Sequence, residues 1–159
     1  YETNLDLACA TPAFNFYDPE NPIYTHARFL PGSTVEDSHL KEVLLAEGCR
    51  IQKAEITHSV IGIRSIISAG TVIKDSVIMG ADYYPSEKPS QPPIGIGPNC
   101  HIEGAIIDKN ARIGSEVVIR PFPRDQEVDT PNWSIQDGIV VIPKDAVIPP
   151  GTHIEIEKA

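Results

Sequence analysis

Cysteine is scarce in this chain: Cys9, Cys49 and Cys100 are the only three, an odd number with no C-x-x-C pair. That argues against a disulfide framework or a zinc site and suits a reducing compartment. The thiols read as small, buried or half-buried packing residues. Long apolar runs are missing as well. None approaches the ~18 residues of a membrane span, and no signal peptide is visible. Positive charge is in deficit, with 13 Lys and Arg against 22 Asp and Glu, for a net charge of −9. Such a surface repels a phosphate backbone, so nucleic acid is not an expected partner, although a small local basic pocket is still permitted. There is no initiating Met, and the chain is expected to be a piece of a longer protein. No nucleophile elbow, phosphate-cradling Gly loop or paired acid/base carboxylates are recognisable. The stretch "GIGPNC" (95–100) has a dinucleotide-loop look, but no helix follows it.

What is present is a period. Aliphatic residues fall at Leu30, Val35, Leu40, Leu45, Ile51, Ile56, Ile61, Ile67, Ile73 and Ile78. They resume at Ile96, Ile102, Ile107, Ile113 and Ile119, and again at Ile142, Ile148 and Ile154. Steps of five and six keep no face of a 3.6-residue helix and do not alternate as a plain strand does. A repeat near six, with Gly, Asn or Asp soon after many of the aliphatics, is the hexapeptide signature of a parallel β-helix. Each hexad makes a short strand and a corner, and its aliphatic points into a triangular prism. Gly62, Gly70, Gly97 and Gly114 suit the corners. Three hexads make a coil, and about five coils are expected.

Three segments fall outside the repeat. Residues 1–9 read as the end of a helix, with Leu5 and the Ala8/Cys9 pair on one face. Residues 10–24 contain Pro12, Pro19 and Pro22 together with Phe14, Phe16, Tyr17 and Tyr24, and read as an extended arm pinned to a surface by its aromatics. Residues 79–93 and 120–138 are Pro-rich loop insertions, the second carrying the only Trp. The expected organisation is a helix end and linker arm over 1–28, then the β-helix over 29–159.

A hexapeptide acyltransferase is a rival reading. It would need a catalytic His between neighbouring prisms, and His58 in "EITHSVIG" is the best placed of five histidines. No carboxylate-supported His motif accompanies it. The histidine spacings have no regularity that would align three of them as zinc ligands. A pure assembly module is the third reading.

The stretches "PIYTHARFLPGS" (22–33), "HSVIGIRS" (58–65), "DSVIMGADYY" (75–84), "PIGIGPNCHIEGAIIDKNARIG" (93–114) and "DGIVVIPKDAVIPPGT" (137–152) occur in that order. Together they resemble the C-terminal domain of the glucose-1-phosphate adenylyltransferases, or ADP-glucose pyrophosphorylases. The resemblance implies an all-β fold, a left-handed parallel β-helix, against the usual right-handed crossover preference. It also implies a catalytic domain elsewhere in the chain that makes ADP-glucose and pyrophosphate from ATP and glucose 1-phosphate, with Mg²⁺ as the metal, for glycogen or starch synthesis. Homo- or heterotetramer subunits would be partners, and the compartment would be the cytoplasm, or the plastid stroma in a plant or alga. Within the β-helix domain itself no catalytic residue, metal or cofactor is expected; its role would be assembly and regulation.

The same resemblance implies a site for small anionic metabolites such as a sugar phosphate, a phosphoglycerate or phosphate. Lys109 of "IDKNA" and Lys144 of "IVVIPKDA" match effector-binding lysines, and Asp82 and Asp108 match acidic residues beside them. Arg28 matches an arginine at an anion site near the domain junction, where the motif's frequent Gln is replaced by His26. Arg112, Arg120 and Arg124 are nearby in sequence and are further candidates. The residues themselves agree with such a site, because an anion needs fixed cationic donors. Lys109 follows Ile107 by two and Lys144 follows Ile142 by two, so both occupy the same outward position in their hexads. The segment "RPFPRDQEVDTPNWSIQDG" (120–138) departs from the Lys- and Asn-rich stretch of plant-type members, so the effector's identity does not carry over.

Overall fold

The computed structural model describes residues 1–85 and 92–156. Residues 86–91 of the first insertion, including Pro89, lie outside the described residues, as do 157–159. The chain winds through successive coils. The first holds β1 (Thr34–Glu36) and β2 (His39–Leu45), the second β3 (Arg50–Gln52) and β4 (Glu55–Ile61), the third β5 (Ile66–Ile67) and β6 (Val72–Ile78). The fourth holds β7 (Gly95–Ile96), β8 (His101–Glu103) and β9 (Ala105–Ile107). The fifth begins with β10 (Arg112–Ile113) and β11 (Val118–Ile119), leaves through a hairpin of β12 (Val128–Asp129) and β13 (Ser134–Gln136), and returns as β14 (Ile139–Ile142). A partial sixth coil ends the described structure with β15 (Val147–Ile148) and β16 (His153–Ile154).

Strands of successive coils pair in parallel and form three walls. The first wall runs β1-β3-β5-β7-β10-β15. β2, β4 and β6 each bend across a corner, so the second and third walls are joined in one ten-stranded sheet. The register is the hexad register. Ile51, Ile67, Ile96, Ile113 and Ile148 are successive partners on the first wall. Leu40, Ile56, Ile73, Ile102, Ile119 and Ile154 form the second ladder. Leu45, Ile61, Ile78, Ile107 and Ile142 form the third. Every isoleucine in these ladders is at most 5% exposed. Coils stacked at the strand spacing of about 4.8 Å bring identical branched side chains into contact. Each full burial contributes about 1.5–3 kcal/mol over exposure, before the entropy of ordering is subtracted.

The first coil departs from the expected pattern. Val35 is 43% exposed, and Leu40 and Leu45 are only half-buried. They occupy the open end of the prism, with a neighbouring coil on one side only. The corners also differ. Lys53, His58, Arg64, Asn99 and Glu116 take positive φ (44–57°), a conformation expected of glycine. Backbone hydrogen bonds to adjacent coils hold them there, such as the Lys53 N–H to the Glu36 carbonyl at 2.8 Å. At Gly97 the glycine is needed for space: a Cβ there would lie 2.6 Å from the carbonyl oxygen of Gly114 on the next coil.

The second insertion is more ordered than a loop. β12 and β13 pair antiparallel, and β13 continues onto β14, so the hairpin extends the third wall beyond its fifth strand. Asp137 and Gly138, both at positive φ, make the two-residue turn between β13 and β14. Ile135 and Val140 are fully buried, and Phe122, Val128 and Trp133 pack against them. The arm also differs from expectation. Phe14, Phe16, Tyr17 and Tyr24 are exposed rather than pinned, with Tyr17 and Tyr24 at 84% and 91%. Phe14 and Phe16 pack on each other, edge to face, with ring centroids 5.1 Å apart. What docks instead is α1 (Glu2–Asp6), shorter than the helix expected over 1–9, through buried Leu5 and the Tyr1 hydroxyl, which donates to the Asp75 carbonyl.

Ile113→Ala should cost about 2–5 kcal/mol of stability, and Val35→Ala under ~1 kcal/mol. Denaturant midpoints of the two variants measure the difference; equal losses would show that the ladders do not carry the fold.

Candidate functional site

The corner between the third and first walls gathers most of the expected residues. On the third coil the chain leaves Ile78 through Met79, Gly80 and Ala81 to Asp82; on the fourth it leaves Ile107 through Asp108, Lys109 and Asn110; on the fifth it leaves Ile142 through Pro143, Lys144 and Asp145. Backbone hydrogen bonds stack these turns. The Asn110 N–H donates to the Gly80 carbonyl and the Asp145 N–H to the Lys109 carbonyl, both at 3.0 Å. Equivalent positions therefore point the same way, and the two lysines rise from one corner on adjacent coils.

Their ammonium groups meet on one carboxylate. Lys109 Nζ lies 3.0 Å from Asp82 Oδ1, and Lys144 Nζ lies 2.7 Å from Asp82 Oδ2. Asn110, only 3% exposed, fixes the same aspartate twice: its Oδ1 accepts the Asp82 N–H at 2.8 Å and its Nδ2 donates to Oδ2 at 3.2 Å. The hydrogen bonds from Lys144 first, and then from Lys109, hold the Asp82 carboxyl far below the usual carboxylate range. The same contact pushes the Lys144 ammonium above its ordinary value. Lowered and raised in these directions, both groups keep their charges across roughly pH 5 to 9. Asp108 turns to its own backbone, where Oδ1 accepts the Lys109 N–H at 2.6 Å.

The other candidates are placed elsewhere. His26 and Arg28 line a separate cleft of about 500 Å³ lower on the same corner, with Glu47 and Ile63 of the first two coils. Arg112 donates to the Pro92 carbonyl at 3.3 Å. Arg120 joins a charged row on the outside of the second wall, with Glu155 at 3.2 Å and Glu103 at 3.6 Å. Lys74 also pairs with Glu103, at 3.0 Å. Arg124 meets Glu2 of α1 at 3.3 Å, out in solvent. None of these three arginines contributes to the lysine pair.

Sequence reasoning missed Asn110, although it stands in "IDKNA", and missed the support beneath Asp82. Arg64 Nη1 donates to the Ala81 carbonyl at 3.2 Å. Arg50 and Arg64 place their guanidinium carbons 5.6 and 5.9 Å from the Tyr84 ring centroid, and the Tyr84 hydroxyl donates to the Gly48 carbonyl at 2.9 Å. These partners lie one or two coils back, so no local motif joins them. His58 has a carboxylate partner after all, Asp75, with Nδ1 to Oδ1 at 2.6 Å. It sits 17 residues on, which is one coil. That corner is the docking place of α1: burial first, then the nearby Asp75 charge, push the Tyr1 phenol up to about 12. Two cations aimed at one point can hold an anion.

Comparison with known proteins agrees with the coil architecture and adds its hand. A model of the GLGC left-handed parallel β-helix domain matches residues 28–153. The glucose-1-phosphate adenylyltransferase small subunit, chloroplastic/amyloplastic, of Triticum aestivum is 46% identical over 164 aligned positions, covering 97% of this chain. The chain spans 35% of that relative's length. With the family model covering all but the arm and the final residues, the chain belongs to the GLGC left-handed parallel β-helix domain family.

Proposed function

We propose that this chain is the regulatory and assembly domain of a glucose-1-phosphate adenylyltransferase, and that it holds a small anionic metabolite between Lys109 and Lys144. The observation that carries the reading is the convergence of those two ammonium groups, from adjacent coils, on a single carboxylate. One phosphate or carboxylate head group of an effector has the size to take both. The lysines are mounted on turns tied coil to coil by backbone hydrogen bonds, so the charge pair is preorganised. Arg28 and His26, lower on the same corner, are proposed to serve an anion at the junction with the catalytic part.

The division of labour follows from what the chain covers. It corresponds to about a third of a relative whose name gives the adenylyltransferase activity. Formation of ADP-glucose and pyrophosphate from ATP and glucose 1-phosphate, with Mg²⁺, is assigned to the remainder. The relative is named a subunit, which supports partner subunits for this chain too. It is also named chloroplastic/amyloplastic, and no helix among the described residues is long and apolar enough to cross a membrane. A plastid or cytoplasmic setting is proposed on that basis. Binding at the corner is coupled to turnover elsewhere by a free energy of typically ~1–3 kcal/mol.

Two measurements test this. Lys144→Ala and Lys109→Ala in the full-length enzyme should raise the half-saturating concentration of a phosphorylated activator about tenfold or more, while Arg124→Ala should leave it unchanged. Equal effects at all three positions would refute the site. The isolated 159-residue chain should make no ADP-glucose from ATP and glucose 1-phosphate, and turnover there would refute the assignment of catalysis to the remainder.

A further inference from the structure

The place proposed for an anion is already filled. Each oxygen of Asp82 takes one ammonium, at 3.0 and 2.7 Å. The carboxylate is also held by its own backbone. The Ala81 N–H donates to the Ile63 carbonyl at 2.9 Å, Arg64 holds the Ala81 carbonyl, Asn110 holds the Asp82 N–H, and Tyr84 is anchored between Arg50 and Arg64. A group tethered this way competes at an effective concentration in at least the mM range. Asp108 and Asp145 adjoin Lys109 and Lys144 on the two stacked turns and add negative charge to the corner. With Asp82 in place both ammonium groups already have a carboxylate partner.

We infer that Asp82 is a built-in competitor for the anion site, seated where the ligand's head group binds and displaced when it arrives. This rests on the anion-binding reading of Lys109 and Lys144. The geometry selects a ligand class. A free monocarboxylate offers the same two oxygens and the same single charge as Asp82, without the tether, and loses the competition. A phosphomonoester carries about −1.5 to −2 at pH 7 and three acceptor oxygens, so it can hold both lysines more strongly than the resident carboxylate does. Displacement also gives up the bond from Asn110 Nδ2 to the carboxylate, while the Asp82 N–H keeps Asn110 Oδ1 as its acceptor. The site thereby exchanges an internal ion pair for an external one, and its threshold for ligand is set by residue 82.

The test uses the full-length enzyme and inorganic phosphate as the probe, followed by calorimetric titration. The phosphate binding lost on Lys144→Ala defines the component belonging to this corner. Asp82→Asn keeps the size of the side chain and should tighten that component about tenfold. Asp82→Ala should move it in the same direction, and thermal melting checks that both variants stay folded. If Asp82→Asn leaves phosphate affinity unchanged or weaker while Lys144→Ala still abolishes it, the competitor is overturned and the anion site stands. If Lys144→Ala removes no phosphate binding at all, the anion site is refuted and the competitor falls with it.

Discussion

Registry between coils is the constraint on which the rest depends. Isoleucines inside the prism align with their equivalents one coil above and below, and those at its ends with one, and the backbone hydrogen bonds that make the walls enforce that alignment. The interior is consequently repetitive, while the outside inherits its order without being repetitive. Any side chain two residues past a core position on the third wall emerges at the same corner. Lys109 and Lys144 meet for that reason, although 35 residues separate them. The aliphatic repeat and the charge pair are one fact seen from the two sides of the sheet.

The outer charges follow the same geometry with different results. On the second wall Lys74, Glu103, Arg120 and Glu155 alternate in sign from the third coil to the sixth, each pairing across a coil boundary. Exposed pairs of this kind contribute little individually. They do leave Lys74 and Arg120 with carboxylate partners. At the corner of the third and first walls the arrangement is concentrated: two cations share one carboxylate, and a buried asparagine fixes its position. The chain's strong negative excess is thus compatible with a local pair of ammonium groups.

The architecture was readable from the sequence because a period near six admits few structures, and every isoleucine in the series is buried. The lysine pair was readable for the same reason, since equal offsets from Ile107 and Ile142 imply equal directions. Other features depended on partners a coil away. Asp75 lies 17 residues from His58, and Arg64 lies 17 residues before Ala81; local motifs do not record such spacings. The hairpin was legible in principle, because Asp137-Gly138 between apolar stretches signals a tight turn, but the prolines before it drew the reading toward a loop. The aromatics of the arm misled for a physical reason: large apolar rings predict burial only when a surface is present to receive them.

The hairpin of β12 and β13 has a consequence for the end of the solenoid. A parallel stack offers every new layer the same open row of peptide groups, so nothing internal limits its length or keeps two such columns from joining. Here the chain doubles back beside the third wall: β13 runs against β14, and the outermost strand, the two-residue β12, runs with the wall again and carries Asp129. A second column arriving at that end meets, on one of its three sides, a short charged edge strand in place of a full strand of the wall. Nineteen residues of apparent interruption thus blunt one of the three edges of a repetitive fold.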